Sequence, residues 1–248
     1  MTLTIQAGKQ TMTAWDIIPR LSRYQMLPQL IKESIIDNAI ANIECTPEEI
    51  SFACEQFDRQ NQLTTEEQRE VWGRSRGLDR EDMLELATRF IKIAKFKQQK
   101  WGEDLNRYFL DRKDSLDKII FSIIRVADMG LAQELYFRIQ EGQSFAELAK
   151  QFSQGREAIM GGVVNPVELG KLPPAMAKLL SSREDGALLL PFPMGDKIVI
   201  IRVEKISRAE LDAATRQRLL EEQFQSWLQE EFQQQENGVS LKSLVFSS

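Results

Sequence analysis

No histidine occurs among the 248 residues of this chain. That absence removes Ser-His-Asp triads, Cys-His pairs and His-ligated metal sites together. Cys45 and Cys54 are the two cysteines. They are too few for a Cys-rich zinc site or a disulfide framework and read as buried or half-buried thiols in helices. A carboxylate pair doing acid–base work needs two neighbours whose pKa values are driven apart. Glu168, Asp196 and Lys197, the charged residues around the turn-rich part of the chain, form no such pair and are expected in solvent-exposed loops. The catalytic residues are therefore unknown from the sequence, and no metal or cofactor is expected.

The remaining cations argue against nucleic acid. Net charge is −5, and the one basic stretch, Arg89, Lys92, Lys95, Lys97 and Lys100, has the spacing of a solvated helix face. Apolar residues make up 42% and charged residues 28%, ordinary for a globular chain able to bury a core. No apolar run approaches the ~18 residues that insertion into a membrane would need. Residues 1–10 lack a basic region followed by an apolar core, so a cytoplasmic protein is expected.

The elements that would position any site fall into two kinds. Residues 1–113 carry helical spacing, beginning with Ile17, Ile18 and Leu21, then Leu30, Ile31, Ile35, Ile36 and Ile40. Thr46-Pro47-Glu48-Glu49 predicts a helix start with a capping box, and Thr64 with Glu67 predicts a second. Gly77 is expected to end that second helix, and Asp79 to open a longer one bearing Met83, Leu86, Ala87, Phe90, Ile91 and Ala94. Near Asp114 the pattern changes. Ile119–Val126 is a β-branched and aromatic run of strand length. Leu131–Ile139 and the segment after Ser144 read as helices, Gly161-Gly162 opens a turn-rich stretch, and Ala187–Phe192 and Ile198–Val203 read as strands.

After Ser207, expected to cap with Glu210, helical period resumes, with Leu219, Leu220, Phe224, Trp227, Leu228 and Phe232 on one face. So strong a stripe must be buried. Packing against the N-terminal helices is favoured over pairing with a second copy, although a homodimer stays open. The expected class is α+β: an all-helical domain built from both chain ends, with an α+β module inserted. The boundaries are 1–113 for the first helical part, 114–207 for the module and 208–248 for the long C-terminal helix.

Residues 118–206 resemble a parvulin-type (PpiC, rotamase) peptidyl-prolyl isomerase domain. The resemblance rests on the strand Ile119–Val126, Ala132-Gln-Glu-Leu135, Glu141-Gly142-Gln-Ser-Phe145-Ala-Glu-Leu148-Ala149-Lys-Gln-Phe-Ser153, Gly161-Gly162, Leu172–Met176, Gly186 with Pro191, and Ile200-Ile-Arg-Val203. The layout around it is similar to the exported foldases of the SurA and PrsA kind. The resemblance implies a folding factor or chaperone that takes peptide or unfolded segments, proline-containing ones among them.

It also implies where a site would lie. The family's two histidines fall at Ser122 and Val199, its acidic residue at Val163, its Cys or Asp at Gly155, and its hydroxyl positions at Met194 and Asp196. The proline-binding positions fall at Val164, Leu172 and Met176. Twisting a prolyl bond faster requires contacts that strengthen in the twisted state. An apolar pocket without the polar set gives affinity without rate. Weak or lost catalysis is thus expected, with an active isomerase and a non-catalytic adaptor of a peptide maturation or export system as alternatives. The three apolar residues read equally as a peptide pocket or as ordinary core.

Overall fold

The computed structural model describes residues 4–7 and 10–238. The last apolar residues of the chain, Leu241, Leu244 and Phe246, lie outside them. The chain divides into two compact units, Met1–Leu105 with Arg216–Ser248, and Asn106–Thr215.

The first unit opens with a hairpin that the sequence did not reveal: β1 (Thr4–Ala7) pairs antiparallel with β2 (Gln10–Thr13). Four-residue strands leave too short a period-2 run to stand out. Five helices follow: α1 (Ala14–Arg23), α2 (Leu27–Ile40), α3 (Pro47–Asn61), α4 (Glu66–Arg74) and α5 (Arg80–Trp101). α3 begins as its sequence dictates. The Glu49 N–H donates to Thr46 Oγ1, and the Thr46 N–H donates back to Glu49 Oε2. The next box sits one residue later than Thr64 and Glu67. Thr65 is the cap and Gln68 its partner, because Gln68 Oε1 collects the N–H groups of both Thr64 and Thr65. α4 ends at Arg74 rather than at Gly77, which instead takes φ +70° in the turn before α5.

The long C-terminal helix α10 (Ala213–Gly238) packs its stripe in this unit. Phe224, Leu228 and Phe232 share one buried cluster with Ile35, Ile36, Ile40 and Ile43. The basic stretch of α5 is more than a solvated face. Arg89 pairs with Glu33 and Asp37 of α2, Lys95 with Glu49 of α3, and Lys97 with Glu221 of α10. α10 starts six residues after the expected cap Ser207, which is still paired in the sheet with Lys118. Asp212 caps it instead, accepting the Thr215 N–H at 2.7 Å.

The second unit holds most of α6 (Leu105–Leu116) and an antiparallel sheet in the order β4-β3-β6-β5. The strands are β3 (Lys118–Val126), β4 (Val163–Glu168), β5 (Phe192–Met194) and β6 (Lys197–Ser207). The helices are α7 (Met129–Gln140), α8 (Phe145–Phe152) and α9 (Pro174–Ser181). β4 was hidden by Asn165-Pro166, a pair tolerated because the strand is an edge. The expected strand Ala187–Phe192 is mostly irregular: Leu188 bridges Arg202, and regular pairing begins only at Phe192. The class is α+β.

Strand alternation splits the module's core in two. On one face Phe121, Ile123, Val199, Ile201 and Val203 pack with Met176 and Leu180 of α9. On the other, Ile124, Val126 and Ile200 pack with Ala132 and Leu135 of α7 and Phe145, Leu148 and Ala149 of α8.

Candidate functional site

The α9 face of the sheet gathers the expected apolar residues. Met176 is 7% exposed inside the cluster, while Val164 of β4 and Leu172, just before α9, are half-buried against it. Phe192 and Met194 also pack there. The structure therefore brings Val164, Leu172 and Met176 together, with Met176 buried and the other two keeping partly open surface.

The paired glycines hold β4 in place. Gly162 has φ +83°, and a Cβ there would lie 2.7 Å from the Ile123 carbonyl oxygen and 3.1 Å from Ala149 Cβ. Only a residue without a side chain lets the backbone approach so closely while turned to positive φ. The Ile123 N–H then donates to the Gly162 oxygen at 2.8 Å, so the turn hands the chain directly into β4.

The expected polar positions do not assemble. Ser122 is 1% exposed and lies on the α8 face, opposite Met176, where its hydroxyl donates to Glu204 Oε1 at 2.5 Å. The buried β3 residues on the face of Val199, Phe121 and Ile123 among them, are apolar. Val163 is exposed, Val199 is fully buried, and Met194 is half-buried in the cluster. Asp196 is exposed beside Lys197, 3.7 Å away, as a loop residue should be. Lys197 and Glu168 are not loop residues: they begin β6 and end β4. Glu168 is largely buried next to Lys171 at 3.6 Å.

One charged pair near this face escaped the sequence reading. Arg125 of β3 has the parity of Phe121 and Ile123 and is the register partner of Val199. Its Nη2 donates to Glu157 Oε1 at 3.1 Å. Burial pushes the Glu157 carboxyl up, but its own backbone N–H and Arg125 outweigh this and hold it below the ordinary glutamate range. The pair is charged at neutral pH. A charged residue in a strand reads as solvent-facing, and its partner lies 32 positions away, so no local pattern announced it.

The helical unit has a separate concavity of about 880 Å3 between α3, α4 and α5, floored by Phe57, Met83, Leu84 and Ala87. Much of its rim charge is paired internally, Arg69 with Asp58 and Arg74 with Glu70. Cys54 also lines it, half-buried like Cys45, and burial raises its thiol pKa.

The model of the PPIC-type PPIase (rotamase) domain family matches residues 127–205. The chain carries a parvulin-type rotamase domain. Its relatives include the chaperone SurA of Pseudomonas aeruginosa, 33% identical over 110 residues, covering 40% of this chain and 26% of that protein. The foldase PrsA of Halalkalibacterium halodurans is 28% identical over 136 residues, covering 52% and 41%. The chain thus spans about a quarter of SurA and two fifths of PrsA. A crystal structure of PrsA from Bacillus cereus aligns over 94% of this chain and 88% of its own, at 19% identity and a TM-score of 0.47. No described helix is long and apolar enough to cross a membrane. These relatives lend no support to a cytoplasmic placement.

Proposed function

We propose that the chain is a parvulin-type folding factor that holds extended, proline-containing segments against the α9 face of its sheet, with prolyl isomerase activity weak or lost. The observation that carries this is the composition of that face. Val164, Leu172, Phe192 and Met194 keep partly open apolar surface there, packed on the buried Met176, Ile123 and Val199. A proline ring gains from such a surface whether its preceding bond is planar or twisted, so binding is uniform and the barrier of about 18–20 kcal/mol is little changed. Peptide or unfolded chain as the ligand class accords with the chaperone and foldase relatives.

The test is a titration of the isotope-labelled chain with a short Ala-Ala-Pro-Phe peptide, followed by NMR. Amide shifts are expected at Val164, Leu172, Met176 and Val199. Met176→Ala should weaken binding about tenfold, the scale of one buried side chain's contact. Leu172→Ala, at a half-buried position, serves if Met176→Ala perturbs the fold. No shifts at millimolar peptide, or an affinity untouched by either change, would show that these residues are only core.

A further inference from the structure

We infer that Arg125 is the peptide-contacting polar residue of the parvulin module, donating a hydrogen bond from its guanidinium to the carbonyl oxygen that precedes a bound proline. This rests on the peptide-binding reading of the α9 face and names the polar group which that reading lacks.

Three placements carry it. Arg125 is the register partner of Val199, the position where the resemblance puts a family histidine. Its Cδ lies 3.0 Å, and its Nε 3.2 Å, from where a Cβ on Gly155 would sit, at the position of the family's Cys or Asp. Its backbone therefore stands opposite one of the lost polar positions and its side chain beside the other, where Gly155 leaves it the room. The side chain is also held: Arg125 is 27% exposed and Glu157 26%, and the pair fixes one end of the guanidinium. The backbone around it is tied down as well. The Arg125 N–H donates to Ser153 Oγ at 3.0 Å, and the Gln154 N–H donates to the Arg125 oxygen at 2.8 Å.

A guanidinium has five N–H donors. Glu157 is its one side-chain partner among the described residues and engages Nη2, which leaves donors for an incoming acceptor. Because Glu157 neutralises the charge, the acceptor that fits is a neutral carbonyl oxygen rather than a carboxylate. Charge-assisted hydrogen bonds of this kind are the stronger ones.

The experiment measures affinity for Ala-Ala-Pro-Phe, Ala-Glu-Pro-Phe and Ala-Lys-Pro-Phe peptides with the full chain and with Arg125→Met and Arg125→Lys. Arg125→Met keeps the aliphatic stem beside Gly155 and removes every donor. It should weaken all three peptides alike, about tenfold, and Arg125→Lys should recover part of the loss. Thermal melting of the same variants separates the role in binding from one in folding, since a merely structural residue would lower the melting point without recovery of affinity by lysine. Wild-type chain that binds none of the peptides sinks the peptide-binding reading itself. Wild-type binding with Arg125→Met unchanged sinks this inference alone. A loss confined to the glutamate peptide would assign Arg125 to a side-chain carboxylate and overturn the carbonyl assignment.

Discussion

Gly162 and Arg125 show how differently two residues of one module declare themselves. Gly161-Gly162 was visible in the sequence because a pair of glycines before a strand marks a turn that other residues resist. The structure supplies the reason: φ +83° at Gly162 and the Ile123 oxygen at the place of a side chain. Gly162→Ala should destabilise the protein by about 1–3 kcal/mol, read as a lower urea midpoint for loss of the module's sheet. An unchanged midpoint would mean the turn relaxes freely and does not fix β4. Arg125 left no such mark, since its neighbours Glu157 and Gly155 are brought to it only by the fold. Ser122 misled for a related reason. A period of two means a shift of one residue changes the face, and spacing alone could not say which face Ser122 occupies.

Helices with strong caps were legible as elements. Thr46-Pro47 and Asp79 start α3 and α5 as read, because a cap is local chemistry. Where two candidate caps adjoin, as at Thr64 and Thr65, the choice belongs to the side chain of Gln68 and not to a motif. The start of α10 was misplaced because the chain after β6 is captured by Asp117, which accepts Arg208 Nη1 at 2.6 Å and the Ala209 N–H at 2.7 Å. The ties between helices of the first unit carry a pH signature. A hydrogen bond from Lys95, then the Thr46 N–H, holds the Glu49 carboxyl below its ordinary value, and a hydrogen bond from Lys97 does the same for Glu221. Depressed carboxylates stabilise the fold above their unfolded pKa of about 4.3 and lose that contribution as pH falls through the folded value. The melting temperature should therefore drop on acidification from pH 5 toward pH 3, and Lys95→Met should shrink the drop. Identical pH slopes for the two proteins would show that the Lys95–Glu49 tie adds nothing.

The whole molecule joins a module of known family to a helical unit whose two sequence-distant parts share one core. That plan was legible because periodicity changes twice, near Asp114 and after β6, and because Phe224, Leu228 and Phe232 demand burial. What the pattern could not supply was the inventory of the module's α9 face, which requires strand register and the packing of α9. The face is apolar where the family's catalytic groups would stand, apart from Arg125 at its edge. Binding without much rate can be measured as cis/trans exchange of an Ala-Ala-Pro-Phe peptide by NMR, with and without stoichiometric protein. Peptide line shifts from binding are expected, with an exchange rate within about tenfold of the uncatalysed one, which takes tens to hundreds of seconds. Exchange accelerated a thousandfold, and abolished by Met176→Ala, would contradict it.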